Sequence, residues 1–281
     1  MTRRPKPRDV ELLLSFLVDD NAETVALARR QVADLARHTP LHGIIEAVPD
    51  PKIRLEARRV LEDVRISGLE LELKAIAEAG DGLDLERGVF LLAQFGHGDA
   101  DPEAMSRQLD TMAAGLEEAV DSAEPDSLEA ADLLRHYLFQ ELKFRGNADN
   151  YQDPNNSYFN LVLERRLGIP ISLSCVALFV GWRLDIPVYG VGLPGHFVIG
   201  HATPRGPRYL DAFNGGQVLS KADCAAIALR AGAEFDDRML EPAGRAQILS
   251  RTMVNLLNIY AERGDDMRVR WLTRWLEFFF K

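Results

Sequence analysis

Three residues whose side chains can carry out acyl-transfer chemistry follow one another in the order Cys175, His196 and Asp211. A cysteine thiolate attacks a carbonyl carbon, a histidine takes up and returns the proton, and a carboxylate orients the histidine. His196 lies in a Pro-Gly-His-Phe turn, and Asp211 ends a short β-rich run. Each residue is a weak signal alone, but the three together, in this order, predict a catalytic triad.

Cys175 allows two interpretations. A helix that begins at Ser172 would place Cys175 in its first turn, where the positive end of the helix dipole favours the thiolate. Cys175 also begins the apolar run of residues 175–180, and a buried free cysteine behaves as a small hydrophobic residue. The sequence therefore leaves open both a nucleophile and a structural thiol.

His196 and Asp211 are predicted to lie on two antiparallel strands, joined by a loop over residues 202–207, which would set their side chains next to each other. Asp211 would then fix the tautomer of His196 and stabilise its protonated form. The alternatives are a turn histidine bonded to the backbone and a carboxylate that bonds the turn at Asn214. His201 is a second candidate base.

Four further polar residues are candidate substrate-binding groups because they lie in or next to the same segments: Asn156, Ser172, Ser174 and Asn214. Helix capping is the alternative role for Asn156 and Ser172. No HExxH motif, Cys/His cluster or glycine-rich phosphate loop occurs in the sequence. We therefore expect neither a metal ion nor an organic cofactor.

The elements that must position these residues change in type along the chain. Apolar residues recur at helical spacing through the first 145 residues, short strands follow, and helices return after residue 243. We therefore predict an α+β fold in which helix dominates. The predicted strands are Val188–Leu193, Phe197–His201 and Arg208–Ala212, and the helices next to them are Tyr158–Leu167 and Ser172–Leu184.

This order of elements predicts three domains. An all-helical N-terminal domain would span residues 1–145, a core with the candidate triad residues 146–240, and a helical hairpin residues 241–281. The last helix has an aromatic stripe, which we expect to pack on the preceding helix; a homodimer contact is the alternative. The residues of this stripe are Trp271, Trp275, Phe278 and Phe279.

Four motifs surround the candidate triad: Phe-Arg-Gly-Asn at 144–147, Asp-Pro-Asn-Asn-Ser at 153–157, Gly-Ile-Pro-Ile-Ser at 168–172 and Gly-Leu-Pro-Gly-His-Phe at 192–197. Together they resemble the SirB-type bacterial transglutaminase-like family. The resemblance covers roughly residues 55–275, and its last part is similar to the start of tetratricopeptide repeats.

The resemblance implies a papain-like, transglutaminase-like core in which a nucleophile helix packs on a small antiparallel sheet. It matches His196 and Asp211 to the histidine and aspartate of that superfamily. Counting back from the helix end before Asp185, it puts the nucleophile nearer residues 170–172 than Cys175. Cys175 is then a displaced nucleophile, or the site has lost its thiol.

Two functions are compatible with these residues. The one that we favour is a degenerate or non-catalytic module that binds a peptide or protein, or regulates one. The alternative is a thiol-dependent enzyme, an amide hydrolase, protease or transglutaminase, that uses Cys175, His196 and Asp211. Fold-level likeness alone does not decide between them.

Composition restricts the class of partner. The 281 residues include 33 Lys and Arg against 43 Asp and Glu, a net charge of −10. Nucleic acid and anionic membranes need clustered cations, so neither is expected as a partner. Two cysteines do not make a disulfide framework, and no apolar run is long enough to span a membrane. We therefore expect a cytoplasmic protein.

Overall fold

A computed structural model describes residues 6–280 and confirms the predicted α+β fold in which helix dominates. The chain forms two compact units, one ending at Leu71 and the other beginning at Glu72. The predicted domain boundaries after residues 145 and 240 both lie inside the second unit, and the division into three domains stays a prediction. Within residues 6–280, no helix is both long and apolar enough to cross a bilayer.

The first unit is helical. The Asn21 side chain accepts hydrogen bonds from the amides of Glu23 and Thr24 (2.8 and 3.2 Å), and it begins a helix there as predicted. Apolar faces of the helices meet in a core that includes Leu14 and Ile45, both fully buried. The helices are α1 (Pro7–Ser15), α2 (Ala22–Ala36), α3 (His42–Ala47) and most of α4 (Pro51–Glu78).

The second unit combines eight further helices with six strands. The helices are α5 (Leu85–Gly96), α6 (Pro102–Asp121), α7 (Leu128–Arg135), α8 (Phe159–Arg165), α9 (Pro170–Arg183), α10 (Lys221–Arg230), α11 (Arg245–Glu262) and α12 (Asp266–Leu276). The strands are β1 (Arg145–Gly146), β2 (Leu167–Gly168), β3 (Val188–Leu193), β4 (His196–His201), β5 (Arg208–Asp211) and β6 (Gln217–Leu219).

The strands β3 to β6 form one antiparallel sheet in chain order. The first three are the predicted strands, and β6 was not predicted. Pro194 and Gly195 alone connect β3 to β4, and Gly195 has a φ of +67°, a conformation that glycine adopts at little cost. This tight turn places His196 at the first position of β4.

Helix α9 lies at the centre of the second unit. Its first twelve residues, Pro170 to Gly181, are all buried, and it packs on α6, β3 and β4. The helix begins two residues earlier than predicted because proline fits the first helical position, where its fixed φ is already helical and no N–H is needed. This shift moves Cys175 from the predicted first turn into the second turn.

The last two helices form a hairpin that packs against α5 of the same chain. Trp275 of α12 is fully buried, and its ring meets that of Phe95 in α5 edge to face, with centroids 4.8 Å apart. Trp271, Phe278 and Phe279 are only partly buried. We expected the aromatic stripe of α12 to pack on α11. The two helices are in contact, and Trp275 also contacts α5.

Candidate functional site

The structure brings His196 and Asp211 together. The two residues lie on adjacent antiparallel strands, in which Gly200 pairs with Tyr209. His196 and Asp211 are each an even number of residues from these paired positions. Because side chains alternate between the two faces along a strand, both side chains point to the same face of the sheet. Their side chains meet with the Nε2 atom of His196 2.9 Å from the Oδ2 atom of Asp211. The predicted spatial pairing is therefore present, and its chemical role stays a prediction.

Asp211 is a buried carboxylate with every oxygen in use. Its Oδ1 accepts the amides of Phe213 and Asn214 (3.0 and 3.2 Å), and its Oδ2 accepts the Asn214 side-chain amide (2.8 Å) besides His196. Burial alone would raise the pKa of Asp211, but the hydrogen bonds and charge of His196, with the bonds from Asn214, outweigh it and lower the pKa. Asp211 is thus held in its charged form.

Arg251 of α11 holds the turn that carries His196 in place. One nitrogen of the Arg251 guanidinium donates to the carbonyl oxygens of Leu193 and His196, each at 2.6 Å. The guanidinium also lies over the ring of Phe197, 5.6 Å from its centre. Arg251 therefore holds the backbone on both sides of the Pro-Gly turn.

His196 and Asp211 open into a cleft of about 510 Å³. One wall is aromatic: the ring of Phe213 meets those of Tyr151 and His196 edge to face, at 5.8 and 6.4 Å between centroids. Because Nε2 of His196 is bonded to Asp211, Nδ1 is the ring nitrogen left for a ligand. The lining residues are Tyr151, Pro170, Pro194, Gly195, His196, Asp211, Phe213, Asn214, Ile227, Arg230 and Ala231.

The first residue of α9 faces this cleft, and it is a proline. Pro170 lines the same cavity as His196, at the helix N-terminus where a helix-borne nucleophile would sit. This is the region, residues 170–172, to which the sequence resemblance assigned the nucleophile. A proline ring has no thiol or hydroxyl, so the residue in this place cannot attack a carbonyl carbon.

Cys175 lies apart from the cleft. It follows Pro170 by five residues, which is about 7.5 Å along the helix and about 140° around it. Its side chain is 1% exposed and is not among the cleft residues. Burial raises the pKa of the Cys175 thiol to about 12, so the thiolate is scarce at neutral pH. These observations oppose a nucleophilic role for Cys175, which stays a prediction.

Two of the four predicted substrate-binding residues form hydrogen bonds with backbone atoms. Asn156 is fully buried, accepts a hydrogen bond from the Asn147 side chain (2.9 Å) and donates to the carbonyl oxygen of Asn150 (2.7 Å). The Ser172 hydroxyl accepts from the Ile169 amide (3.1 Å) and donates to the Asn156 carbonyl oxygen (2.6 Å). Ser172 thus ties the start of α9 to the Asn156 turn instead of capping amides ahead of it.

The other two predicted residues differ from each other. Ser174 is fully buried, and its hydroxyl has no hydrogen-bond partner among the described residues. Asn214 lines the cleft, and its amide donates to Asp211. Asn214 is therefore the only one of the four that the structure places in the cleft. His201, the second candidate base, is fully buried, and its Nε2 lies 3.4 Å from the Pro125 carbonyl oxygen.

Sequence reasoning missed one whole wall of the cleft. Helix α10 was not predicted, although Ser220 and Asp223 form the reciprocal hydrogen bonds of a capping box at its start. That signal was visible in the spacing Ser-x-x-Asp. Ile227, Arg230 and Ala231 reach the cleft from this helix and its end.

No group of three or more His, Cys, Asp or Glu side chains suited to a metal ion occurs within residues 6–280. The four donors around Asp211 also leave no oxygen of that carboxylate free for a cation. The cleft as described is therefore built for hydrogen bonding and apolar contact.

Comparison with known proteins gives two kinds of curated relative, UPF0162 proteins and F-box only protein 21. A UPF0162 protein of Xylella fastidiosa (strain Temecula1) is 44% identical over 137 residues, 46% of this chain and 48% of the relative. A UPF0162 protein of Pseudomonas aeruginosa is 31% identical over 169 residues, 59% of this chain and 61% of the relative. F-box only protein 21 of Mus musculus is 30% identical over 156 residues, 53% of this chain and 24% of the relative.

The chain spans about half the length of the Xylella relative. No solved structure matches this chain. A family model described as the transglutaminase-like superfamily matches residues 103–254, more than half of the chain, and this range contains α9, the sheet and the cleft. The predicted transglutaminase-like core is confirmed by this match, and the chain belongs to the transglutaminase-like superfamily.

Proposed function

We propose that this protein is a non-catalytic member of the superfamily whose cleft binds a peptide segment of another protein. The observation that carries this proposal is Pro170, which occupies the cleft at the helix N-terminus where a thiol would be needed. The histidine and aspartate remain, together with an aromatic wall, and these groups can hold a backbone and a side chain without reacting.

The finer family assignment belongs to the same proposal. The four motifs around the cleft support a SirB-type protein, and the UPF0162 relatives support membership of that family. A tetratricopeptide-like role for α11 and α12, a homodimer contact through α12 and a cytoplasmic location are also proposals. The net charge of −10 and the two free cysteines support a cytoplasmic protein that avoids nucleic acid and membranes.

A peptide array tests the binding function. Labelled protein is applied to immobilised decapeptides of random sequence, and affinities of the bound peptides are measured by fluorescence anisotropy. Phe213→Ala removes the ring between Tyr151 and His196, so we expect about tenfold weaker binding. Phe280→Ala, which removes a ring that is 73% exposed and outside the cleft, is the matched control and should bind as the wild type does.

A thiol-dependent acyl-transfer enzyme is the second candidate, because the His196–Asp211 pair is intact at 2.9 Å and Nδ1 of His196 is available. It requires that Cys175 leave the core and reach His196. Alkylation by iodoacetamide at pH 6 to 9 measures this, with the buried Cys224 as the internal reference.

We expect both cysteines to react only after unfolding, because burial raises the pKa of Cys175 to about 12 and that of Cys224 to about 11. A Cys175 that is alkylated quickly at pH 6 in the folded protein, and slowly in His196→Ala, would instead establish a thiolate–imidazolium pair. Peptide or ester turnover that disappears in Cys175→Ala would then replace the binding proposal.

A further inference from the structure

The charges around the cleft are unequal. Asp211 is its one carboxylate, and this side chain is 3% exposed with four donors bonded to its two oxygens. Arg230 is the one arginine or lysine among the described residues that line the cleft. The carboxylate oxygens of Asp211 are therefore occupied and hidden from solvent, whereas Arg230 is an exposed charge at the cleft.

Arg230 forms no hydrogen bond or ion pair within residues 6–280 and is exposed. Its place in the last turn of α10 suits a cation, because the helix dipole is negative there. That interaction uses the charge but none of the five N–H donors of the guanidinium. These donors form a planar fork that matches the two oxygens of a carboxylate.

The residues next to Arg230 form an apolar surface on which a side chain of the ligand can pack. Ile227, Arg230 and Ala231 are spaced i, i+3 and i+4, so they lie on the same face of α10 and its end, and all three line the cleft. The rings of Phe213 and Tyr151, which contact each other, line the same cleft. A ligand can therefore place an apolar side chain against these residues while a charged group meets Arg230.

A second cation, which pairs with no carboxylate among residues 6–280, lies close by. Arg251 donates to the carbonyl oxygens of Leu193 and His196, and the charge of Arg251 acts on the Tyr151 hydroxyl at the rim of the cleft. Arg251 is itself only partly exposed, so its charge is weakly screened by water. Two guanidinium groups, one lining the cleft and one acting on a residue that lines it, thus add positive charge there in a chain whose net charge is −10.

We propose that the cleft selects acidic peptides: a carboxylate of the ligand pairs with Arg230, and a neighbouring apolar side chain lies against Phe213. This inference rests on the proposed peptide-binding function and adds the class of ligand. The carboxylate can belong to an aspartate or glutamate side chain or to the C-terminus of the ligand, and the experiment separates these two sources.

The test uses three sets of random decapeptides on one array. The first set has a central glutamate and an amidated C-terminus, the second a central glutamine and an amidated C-terminus, and the third a central glutamine and a free C-terminal carboxylate. Full-length wild type, Arg230→Gln, Arg230→Glu and Arg270→Gln are compared at low and high salt. Arg270→Gln is the matched control, because Arg270 is exposed and outside the cleft.

The wild type and Arg270→Gln should bind the first or the third set about tenfold more tightly than the second, and less so at high salt. The set that gains identifies the source of the carboxylate. Arg230→Gln should lose the preference, and Arg230→Glu should bind the carboxylate-bearing set that the wild type prefers more weakly than it binds the second set. Because Arg230 is exposed, these variants should fold, which circular dichroism checks.

Equal binding of all three sets by the wild type would overturn the acidic selectivity and leave peptide binding standing. A preference that survives Arg230→Gln, with binding lost in Phe213→Ala, would keep the cleft as the peptide site and overturn the pairing of the ligand carboxylate with Arg230. Absence of binding to any set, at any salt concentration, would overturn both the proposed function and this inference.

Discussion

At the scale of the single residue, the contrast between Asp211 and His201 shows two ways to bury an ionisable group. Asp211 is stabilised as a charge by four donors. His201 is fully buried, its Nδ1 has no partner among the described residues, and burial lowers its pKa below 6.5. His201 is therefore held neutral, which suits a packing role better than the role of a base.

The buried His201 predicts a pH dependence of stability. Below pH 6.5 the unfolded chain binds a proton at this histidine and the folded chain does not, so the free energy of unfolding falls as the pH falls. One histidine can contribute a slope of at most about 1.4 kcal/mol per pH unit, reached only between its unfolded pKa and the lowered folded pKa. Urea unfolding at pH 5, 6, 7 and 8 measures this slope.

In His201→Gln this part of the slope should disappear, whatever the variant's stability at pH 8. The contribution of Asp211 to the free energy of unfolding is lost in a different pH range. Its pKa is lowered from 3.8, so the carboxylate stays charged down to more acidic pH. Equal slopes for the wild type and His201→Gln between pH 5 and 6.5 would show that His201 is protonated freely in the folded state.

At the scale of the element, the β3–β4 turn is the piece that sets the geometry of the cleft. Pro194 and Gly195 turn the chain in two residues, and the positive φ of Gly195 keeps the turn tight. Arg251 of α11 then bonds the carbonyl oxygens on both sides of the turn. The position of His196 therefore depends on a helix that begins 49 residues after it.

Replacing Arg251 by methionine keeps most of the side-chain length and removes both hydrogen bonds. We expect the free energy of unfolding to fall by about 2 kcal/mol, because a buried hydrogen bond to a charged group contributes about 1.5 to 3 kcal/mol. Hydrogen exchange of the amides of residues 193–198 should quicken at the same time. Arg270→Met, on an exposed face of α12, should change neither quantity.

Unchanged exchange in the turn, with a stability loss spread over the whole sheet, would mean that Arg251 acts through its contact with Phe197 alone. In that case the affinity of Arg251→Met for peptides without a carboxylate should equal that of the wild type, because only a carboxylate senses the lost charge. A positioning role requires that affinity fall along with the protection of the turn.

At the scale of the whole molecule, every residue that lines the cleft belongs to the second compact unit. The residues come from α9, one end of the sheet, α10 and the loop at Tyr151, which are far apart in the sequence. The chain has a net charge of −10, whereas the exposed charged side chain that lines the cleft, Arg230, is positive. An acidic chain with a positive cleft would repel acidic peptides elsewhere on its surface and so favour this one place.

Local patterns were enough to predict much of this arrangement. The short β-rich runs bounded by Gly, Pro and Asn predicted β3, β4 and β5, and the loop over residues 202–207 between two of them predicted that His196 would lie next to Asp211. The helix-dominated α+β class followed from spacing alone. These features depend on neighbours within a few residues, so the sequence contains them directly.

The tertiary structure alone decided which residue of α9 faces the cleft. Because α9 is apolar on all sides, its sequence has no polar face to show how the helix is rotated against the sheet. Packing turned Pro170 toward His196 and placed Cys175 in the core. The same packing brought α10 and Arg230 to the cleft. Whether the triad was complete therefore depended on long-range contacts, which the order of Cys175, His196 and Asp211 does not encode.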